Sequence, residues 1–204
     1  MVVIIDYGMG NVGSVRNALE VLGYDVVISS SEENISRADH LILPGVGAFG
    51  DGMKNLQKAN LVEILTKEVL VNKKPILGIC LGMQMMATSG EEGGVYSGLG
   101  WISGVTRKFE LDESTFKVPH VGWNDVKNLR QSTLLQNIQN PIFYFVHSYH
   151  LVPEDKNVAI GVTDYGEEFV SVVEKGNIFG VQFHPEKSQK AGLDLLNNFL
   201  QYGK

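Results

Sequence analysis

Apolar positions fall in short runs at the start of the chain and recur at helical spacing between those runs. Val2-Val3-Ile4-Ile5, stopped by Asp6, is a β-branched run of the kind that forms a strand buried on both faces. After the loop Gly8-Met9-Gly10-Asn11, Ser14 is placed to cap a helix whose Val15, Ala18, Leu19 and Leu22 share one face, and Gly23 closes it. Residues 25–28, 40–43 and 75–79 predict further strands, the second stopped by Pro44-Gly45. Between them Met53, Leu56, Leu61, Ile64, Leu65 and Val69 predict a helix over 52–70, and 81–88 predicts another. Alternation of this kind builds a parallel sheet with helices on both faces.

The rhythm changes after Gly90. Residues 98–109, 119–126, 143–150, 159–164 and 169–175 are short strand-like runs separated by turns, which predicts antiparallel pairing as an extension at one edge of the sheet. A last strand is expected at 179–183. Ser188 then caps a helix with Leu193, Leu196, Phe199 and Leu200 on its apolar face. No repeat or linker interrupts the chain. The expected fold is α/β, a single domain over 1–204 with an open, mostly parallel sheet flanked by helices and extended by antiparallel strands.

Composition narrows the function classes. With 44% hydrophobic and 20% charged residues the chain is neither disordered nor fibrous. A net charge of −6 without a dense Lys/Arg run argues against nucleic acid as a partner. No apolar run reaches the ~18–20 residues that span a bilayer, and the first residues lack a basic leader, so neither membrane nor export is expected. Cys80 is the sole cysteine, which excludes an internal disulfide and a multi-cysteine zinc site and fits a reducing cytoplasm.

That cysteine is placed for chemistry. Gly78-Ile79-Cys80-Leu81-Gly82 joins a predicted strand to a predicted helix in the form of a nucleophile elbow with sulfur in place of hydroxyl. Small residues two before and two after let the turn close. The helix start favours the thiolate and aims the Leu81 N–H at a developing oxyanion. A thiol nucleophile needs a base, and the base needs a group that fixes its tautomer. His184 and Glu186, in Phe183-His184-Pro185-Glu186, meet both needs. Pro44-Gly45-Val46-Gly47-Ala48-Phe49-Gly50 follows the third strand, where Gly45 and Gly47 can turn N–H groups toward a ligand beside Cys80; the absence of Gly-Lys-Ser/Thr excludes a Walker loop.

Other patterns are weaker. Gly8-Met9-Gly10-Asn11-Val12-Gly13 formally matches the dinucleotide fingerprint, but Glu32 and Glu33 follow Ser29-Ser30-Ser31 instead of closing the second strand. His147 and His150 form an H-x-x-H pair, yet residues three apart on one strand face opposite sides, so polar or packing roles are expected and no metal. Met83, Met85 and Met86 read as core.

Taken together, Gly78-Ile79-Cys80-Leu81-Gly82-Met83-Gln84 and His184-Pro185-Glu186 resemble the class I (triad) glutamine amidotransferases. The ordered set Asp6-Tyr7-Gly8-Met9-Gly10-Asn11, Pro44-Gly45-Val46-Gly47-Ala48-Phe49, Pro119-His120-Val121-Gly122-Trp123-Asn124, Tyr144-Phe145-Val146-His147-Ser148-Tyr149 and Phe183-His184-Pro185-Glu186-Lys187-Ser188 is similar, within that family, to the glutaminase subunits of imidazole glycerol phosphate synthases. The resemblance implies hydrolysis of glutamine to glutamate and ammonia, without metal or organic cofactor, and a (β/α)8-barrel cyclase subunit as heterodimer partner in histidine biosynthesis. It implies Cys80 as nucleophile, His184 as base and Glu186 as orienter. Val46, Gly47 and Leu81 would supply oxyanion N–H groups. Gly45, Gln84, Glu92, Ser148 and Tyr149 would surround the substrate, and Asn11, Trp123 and Lys187 would meet the partner. Met9, Gly13 and Ser148-Tyr149-His150 also resemble a paralogous branch that delivers ammonia for surface-sugar amidination. A free cysteine hydrolase of the same fold and a non-catalytic scaffold are the remaining alternatives. Intact Cys80, His184 and Glu186 speak against the scaffold.

Overall fold

The computed structural model describes residues 1–112 and 114–203. The first half runs β1 (Val2–Ile5), α1 (Val12–Val21), β2 (Val26–Ser29), α2 (Glu32–Arg37), β3 (His40–Gly45), α3 (Phe49–Lys58), α4 (Leu61–Thr66), β4 (Ile76–Cys80) and α5 (Leu81–Gln84). The second half runs β5 (Ala87–Gly90), β6 (Tyr96–Ser97), β7 (Ile102–Lys108), β8 (His120–Asp125), β9 (Lys127–Asn128), β10 (Ile142–His147), β11 (Tyr149–Pro153), β12 (Ala159–Asp164), β13 (Glu168–Lys175), β14 (Ile178–Val181) and α6 (Gln189–Gln201).

The main sheet has the order β2-β1-β3-β4-β14-β13-β12-β9. β2, β1, β3, β4 and β14 are parallel, and β13, β12 and β9 continue the sheet with antiparallel pairing. Period-two alternation divides its side chains between two cores. Val3, Ile5, Leu41 and Leu43 pack with Phe49, Met53, Leu56 and Trp101 on one face. Val2, Ile4, Ile42, Leu77 and Ile79 pack with Leu19, Leu195, Phe199 and Phe183 on the other. In open parallel sheets ligands gather beyond the carboxyl ends of the strands. β4 lies between β3 and β14, so the segments leaving these three strands meet at one place.

Several expected elements differ in detail. The cap of α1 is Asn11, not Ser14; its side chain accepts from the Ser14 N–H at 3.4 Å. β3 continues through Pro44 and Gly45 because its ladder with β1 ends at Ile42, and it pairs beyond that point only with β4. The helix expected over 52–70 starts at Phe49 and breaks at Asn60, whose φ of 57° is left-handed. α5 is one turn long instead of reaching residue 88, since Ala87–Gly90 leaves to pair with β7 and β6. The antiparallel extension is only part of the second half. Among the described residues β8 and β10 form a separate two-stranded sheet, and β11-β7-β5-β6 form another.

The expected strand over 143–150 breaks at Ser148, which brings His147 and His150 to the same aromatic cluster rather than to opposite faces. Their ring centroids lie 5.1 and 4.9 Å from that of Phe109. Burial drives His147 down to about 3 and His120 down to about 4. Both pKa values are depressed on folding, so the neutral rings contribute stability above the unfolded value of about 6.5. That contribution is lost as pH falls from about 6.5 toward the folded values. Urea midpoints measured against pH should therefore decline through this window, and replacing His147 with Gln should flatten the decline.

Glycine decides the packing of α5. A Cβ on Gly82 would lie 1.8 Å from the carbonyl oxygen of Leu43, in the backbone of β3. Gly82→Ala should cost about 3 kcal/mol in urea unfolding, at the upper end for overpacking.

Candidate active site

Cys80 ends β4 and begins the elbow. Its φ of 53° and ψ of −110° form a backbone conformation that L-residues adopt only when their surroundings over-determine it. The surroundings do so here. A Cβ on Gly78 would meet the Met83 nitrogen at 2.7 Å, and one on Gly45 would meet the Leu81 Cβ at 2.8 Å. Gly45 thus serves the close packing of β3 on the elbow and does not line the cavity beside the sulfur. The helix dipole behind the thiol is smaller than a longer α5 would have given, because only one turn follows. The closer surroundings of the sulfur are side chains from other elements.

The chief neighbour is His184, 2% exposed, just after β14. Its Nδ1 lies 2.8 Å from Glu186 Oε1, and that carboxylate is itself 1% exposed. Burial alone would push the imidazole down. The sulfur of Cys80 and the carboxylate of Glu186 outweigh burial and raise it to about 10. A carboxylate at Nδ1 requires the proton there, which leaves Nε2 for the sulfur. Nε2 has no complete hydrogen bond among the described residues, and neither does the second Glu186 oxygen.

The backbone of His184 is held from β10. The His184 N–H donates to the Tyr144 carbonyl at 2.9 Å. Ser188 Oγ donates to the His184 carbonyl at 2.6 Å and accepts the Tyr144 N–H at 3.0 Å. The same strand reaches Cys80, with Sγ 4.0 Å from the Val146 carbonyl. On the other side Gln182 Nε2 donates to Sγ at 3.6 Å. Tyr7 donates to the Pro44 carbonyl at 2.9 Å; burial, and the nearby Cys80 after it, push its hydroxyl pKa up, so it remains a donor.

A cavity of 490 Å³ opens over the sulfur. It brings together Val46, Gly47, Cys80, Leu81, Gln84, Glu92, Ser148, Tyr149 and His184, and adds Ala48, Pro119, Val146 and His147. Gly47 has φ of 98° in the glycine region, with Met9 against it. Glu92 also closes the open end of α3, accepting the Phe49 N–H at 2.8 Å where the capping position is Ala48. Gln84 Nε2 donates to the Tyr149 carbonyl at 2.8 Å. Asn11, Trp123 and Lys187 lie outside this cavity. Trp123 is half-exposed on β8, its ring 5.9 Å from that of Tyr144, with Lys187 Nζ 5.8 Å from the Tyr144 centroid. Asn11 spends its carbonyl on the cap of α1.

The sequence reading missed Gln182 and Ser188. The available signal for Gln182 was a lone polar side chain two residues before His184 in an apolar strand run. Ser188 carries in the sequence only the signal of a helix cap.

The sequence profile described as "Glutamine amidotransferase class-I" matches residues 3–202. The chain is 52% identical over 202 residues to a Methanococcus maripaludis protein named imidazole glycerol phosphate synthase subunit HisH 2, covering 98% of this chain and 99% of that one. It is 49% identical to the HisH subunit of Aquifex aeolicus, over 97% of this chain and 94% of the relative. Among solved structures, PurLQS of Thermotoga maritima shares the fold with a TM-score of 0.76 at 20% identity, over 100% of this chain and 98% of that one.

Glu186→Gln should remove the support for the raised His184. The alkaline limb of kcat/KM for an amide substrate should follow His184 near pH 10 in the parent and move to lower pH in the variant. The plateau should fall about 10²–10⁴-fold. Measured pH–rate profiles of both proteins check this.

Proposed function

The chain belongs to the class I glutamine amidotransferases, and from that premise we infer how its site works as the glutaminase subunit of an imidazole glycerol phosphate synthase. The observation that carries this reading is the convergence of Cys80, the His184–Glu186 pair and the Val46–Gly47 loop on one cavity. Glutamine enters with its side-chain amide over Sγ and its amino-acid end toward Gln84, Glu92, Ser148 and Tyr149. Protonated His184 stabilises negative charge on the sulfur, which attacks the amide carbon. The N–H groups of Val46, Gly47 and Leu81 take the developing oxyanion. His184 then gives its proton to the departing nitrogen, which leaves as ammonia.

The raised state of His184 explains the second half. Part of the elevation comes from Cys80. Once the sulfur carries the acyl group its charge is gone, and the imidazole becomes the neutral base that water needs. His184 takes a proton from water as it attacks the thioester, glutamate departs, and the proton remains to re-form the starting pair. Glu186 holds the ring through both steps.

Ammonia must then reach a cyclase subunit. The proposed docking face is the outer side of the β8–β10 sheet, where Val121, Trp123, Ile142 and Val146 are exposed and Tyr144 is partly exposed. Trp123 pairs with Tyr144 and Val121 with Val146, so these side chains form one apolar surface. Lys187 stands at its border. The partner's (β/α)8-barrel form is part of this proposal. So is a cytoplasmic location, where a reducing environment keeps the single thiol free. Among the described residues no helix is long and apolar enough to cross a membrane.

Glutamate release from glutamine, measured with and without the cyclase subunit and its nucleotide substrate, tests the reading. Strong stimulation is expected, with Cys80→Ala abolishing turnover while still binding the partner. Activity that ignores the partner would count against the coupled role. Trp123→Ala should weaken the complex by about 2 kcal/mol, roughly thirtyfold in Kd by calorimetry.

A further inference from the structure

Three polar side chains that run from the docking face to the cavity take no part in the mechanism above: Asn124, His120 and His147, the last of which lines the cavity. Their hydrogen bonds have one consistent direction, and it can be assigned from both ends. At the outer end Asn124 Oδ1 accepts the Asp125 N–H at 2.8 Å and Nδ2 donates to the Asp164 carbonyl at 2.9 Å, which fixes the amide. Nδ2 is therefore the atom that faces His120 Nε2 at 3.3 Å, and it donates. At the inner end the Tyr149 carbonyl can only accept, so His147 Nδ1, 2.9 Å away, carries a proton. Burial keeps both rings neutral. His147 Nε2 therefore accepts, and His120 Nδ1 donates to it at 3.1 Å. The two assignments meet without conflict.

The chain of bonds does not stop at Tyr149. Its carbonyl also accepts from Gln84 Nε2, which reaches Gln182 Oε1 at 3.1 Å, and Gln182 in turn donates to the nucleophilic sulfur. The His120 ring is stacked between Tyr165 and Phe145, with centroids at 4.0 and 4.9 Å, so it has little freedom to rotate. A strand that faces the partner is thus tied by hydrogen bonds to the wall of the substrate cavity.

We propose that His120 and His147 are positioning residues that hold the Tyr149–Gln84 wall of the glutamine pocket in register with strand β8, and so set how tightly glutamine binds. This rests on the glutaminase reading. It differs from direct participation, because among the described residues the hydrogen bonds of the two rings go to Asn124, to each other and to the Tyr149 carbonyl.

The test compares His120→Phe and His120→Asn in the complete two-subunit complex. Phenylalanine keeps the stacking but leaves His147 Nε2 without a donor; asparagine returns an N–H near the lost Nδ1. Leaving a buried acceptor unpaired should raise KM for glutamine about tenfold in His120→Phe, with kcat within about twofold. His120→Asn should recover most of the loss. An unchanged KM in folded His120→Phe, or a His120→Asn as impaired as His120→Phe, overturns the proposal. A second readout needs neither variant nor turnover. Nitrogen NMR of the parent at about pH 7 should show both rings neutral with the proton on Nδ1, against the usual Nε2 preference of free imidazole side chains. An Nε2-protonated tautomer in either ring overturns the proposal even if the variants fail to fold. Absence of glutamine hydrolysis in the parent complex would instead count against the glutaminase reading and leave the tautomers to decide the relay.

Discussion

The backbone of α5 touches the backbone of β3, and there is no space between them for a side-chain carbon. Gly82 sits where a Cβ would collide with the Leu43 carbonyl, and Gly78 and Gly45 complete the seam. This contact forces the sharp turn at Cys80 and keeps the residue in a conformation it would otherwise leave. Strand order supplies the rest. With β3 on one side of β4 and β14 on the other, the glycine loop and the histidine arrive beside the sulfur from opposite flanks. The reacting groups come from three distant parts of the chain, yet their separation is set by parallel strands a hydrogen bond apart.

Holding a charged histidine in such a buried place is unfavourable unless partners offset the loss of water. Both offsets are local: a carboxylate two residues along the chain and a sulfur across the sheet. In the proposed reaction one of them would disappear when the sulfur is acylated, which would reset His184 between its two tasks. The remaining control lies in β10, which is hydrogen-bonded to His184 through Tyr144 and approaches Cys80 through Val146. Movement of that strand would reach His184 and Cys80 together.

The parts of the fold that were readable in the sequence are those with a strong period. β1, β4 and α6 bury nearly every apolar position their patterns predict, and Gly-Ile-Cys-Leu-Gly marks the elbow without help from the rest of the chain. What was not readable depended on contacts distant in sequence. α2 buries a single side chain, Ile35, and so has no period to detect. The helix over 52–70 carries a continuous apolar face, but the left-handed Asn60 divides it and its last turns, Lys67–Val71, are π-helical. Residues 87–90 leave the helix because β7 offers a ladder, a competition that no local propensity reveals. The partition of the second half into three sheets has the same cause. At the site, the triad spacing was legible because its chemistry restricts residue type. The supports at Gln182, Ser188, His120 and His147 were less so, since each acts through a backbone or another side chain.

β10 has one further property. Its side chains alternate, Val146 and Ile142 outward, Phe143, Phe145 and His147 inward, so a single strand is both surface and wall. Insertion or deletion of one residue within it would exchange the two faces, placing phenylalanines in solvent and exposed aliphatic side chains in the core. Point substitutions can alter one face at a time, whereas changes of length damage both at once. A change of length in β10 is therefore more disruptive than a substitution on its outer face, and the loops on either side of it are the places that can absorb an added residue.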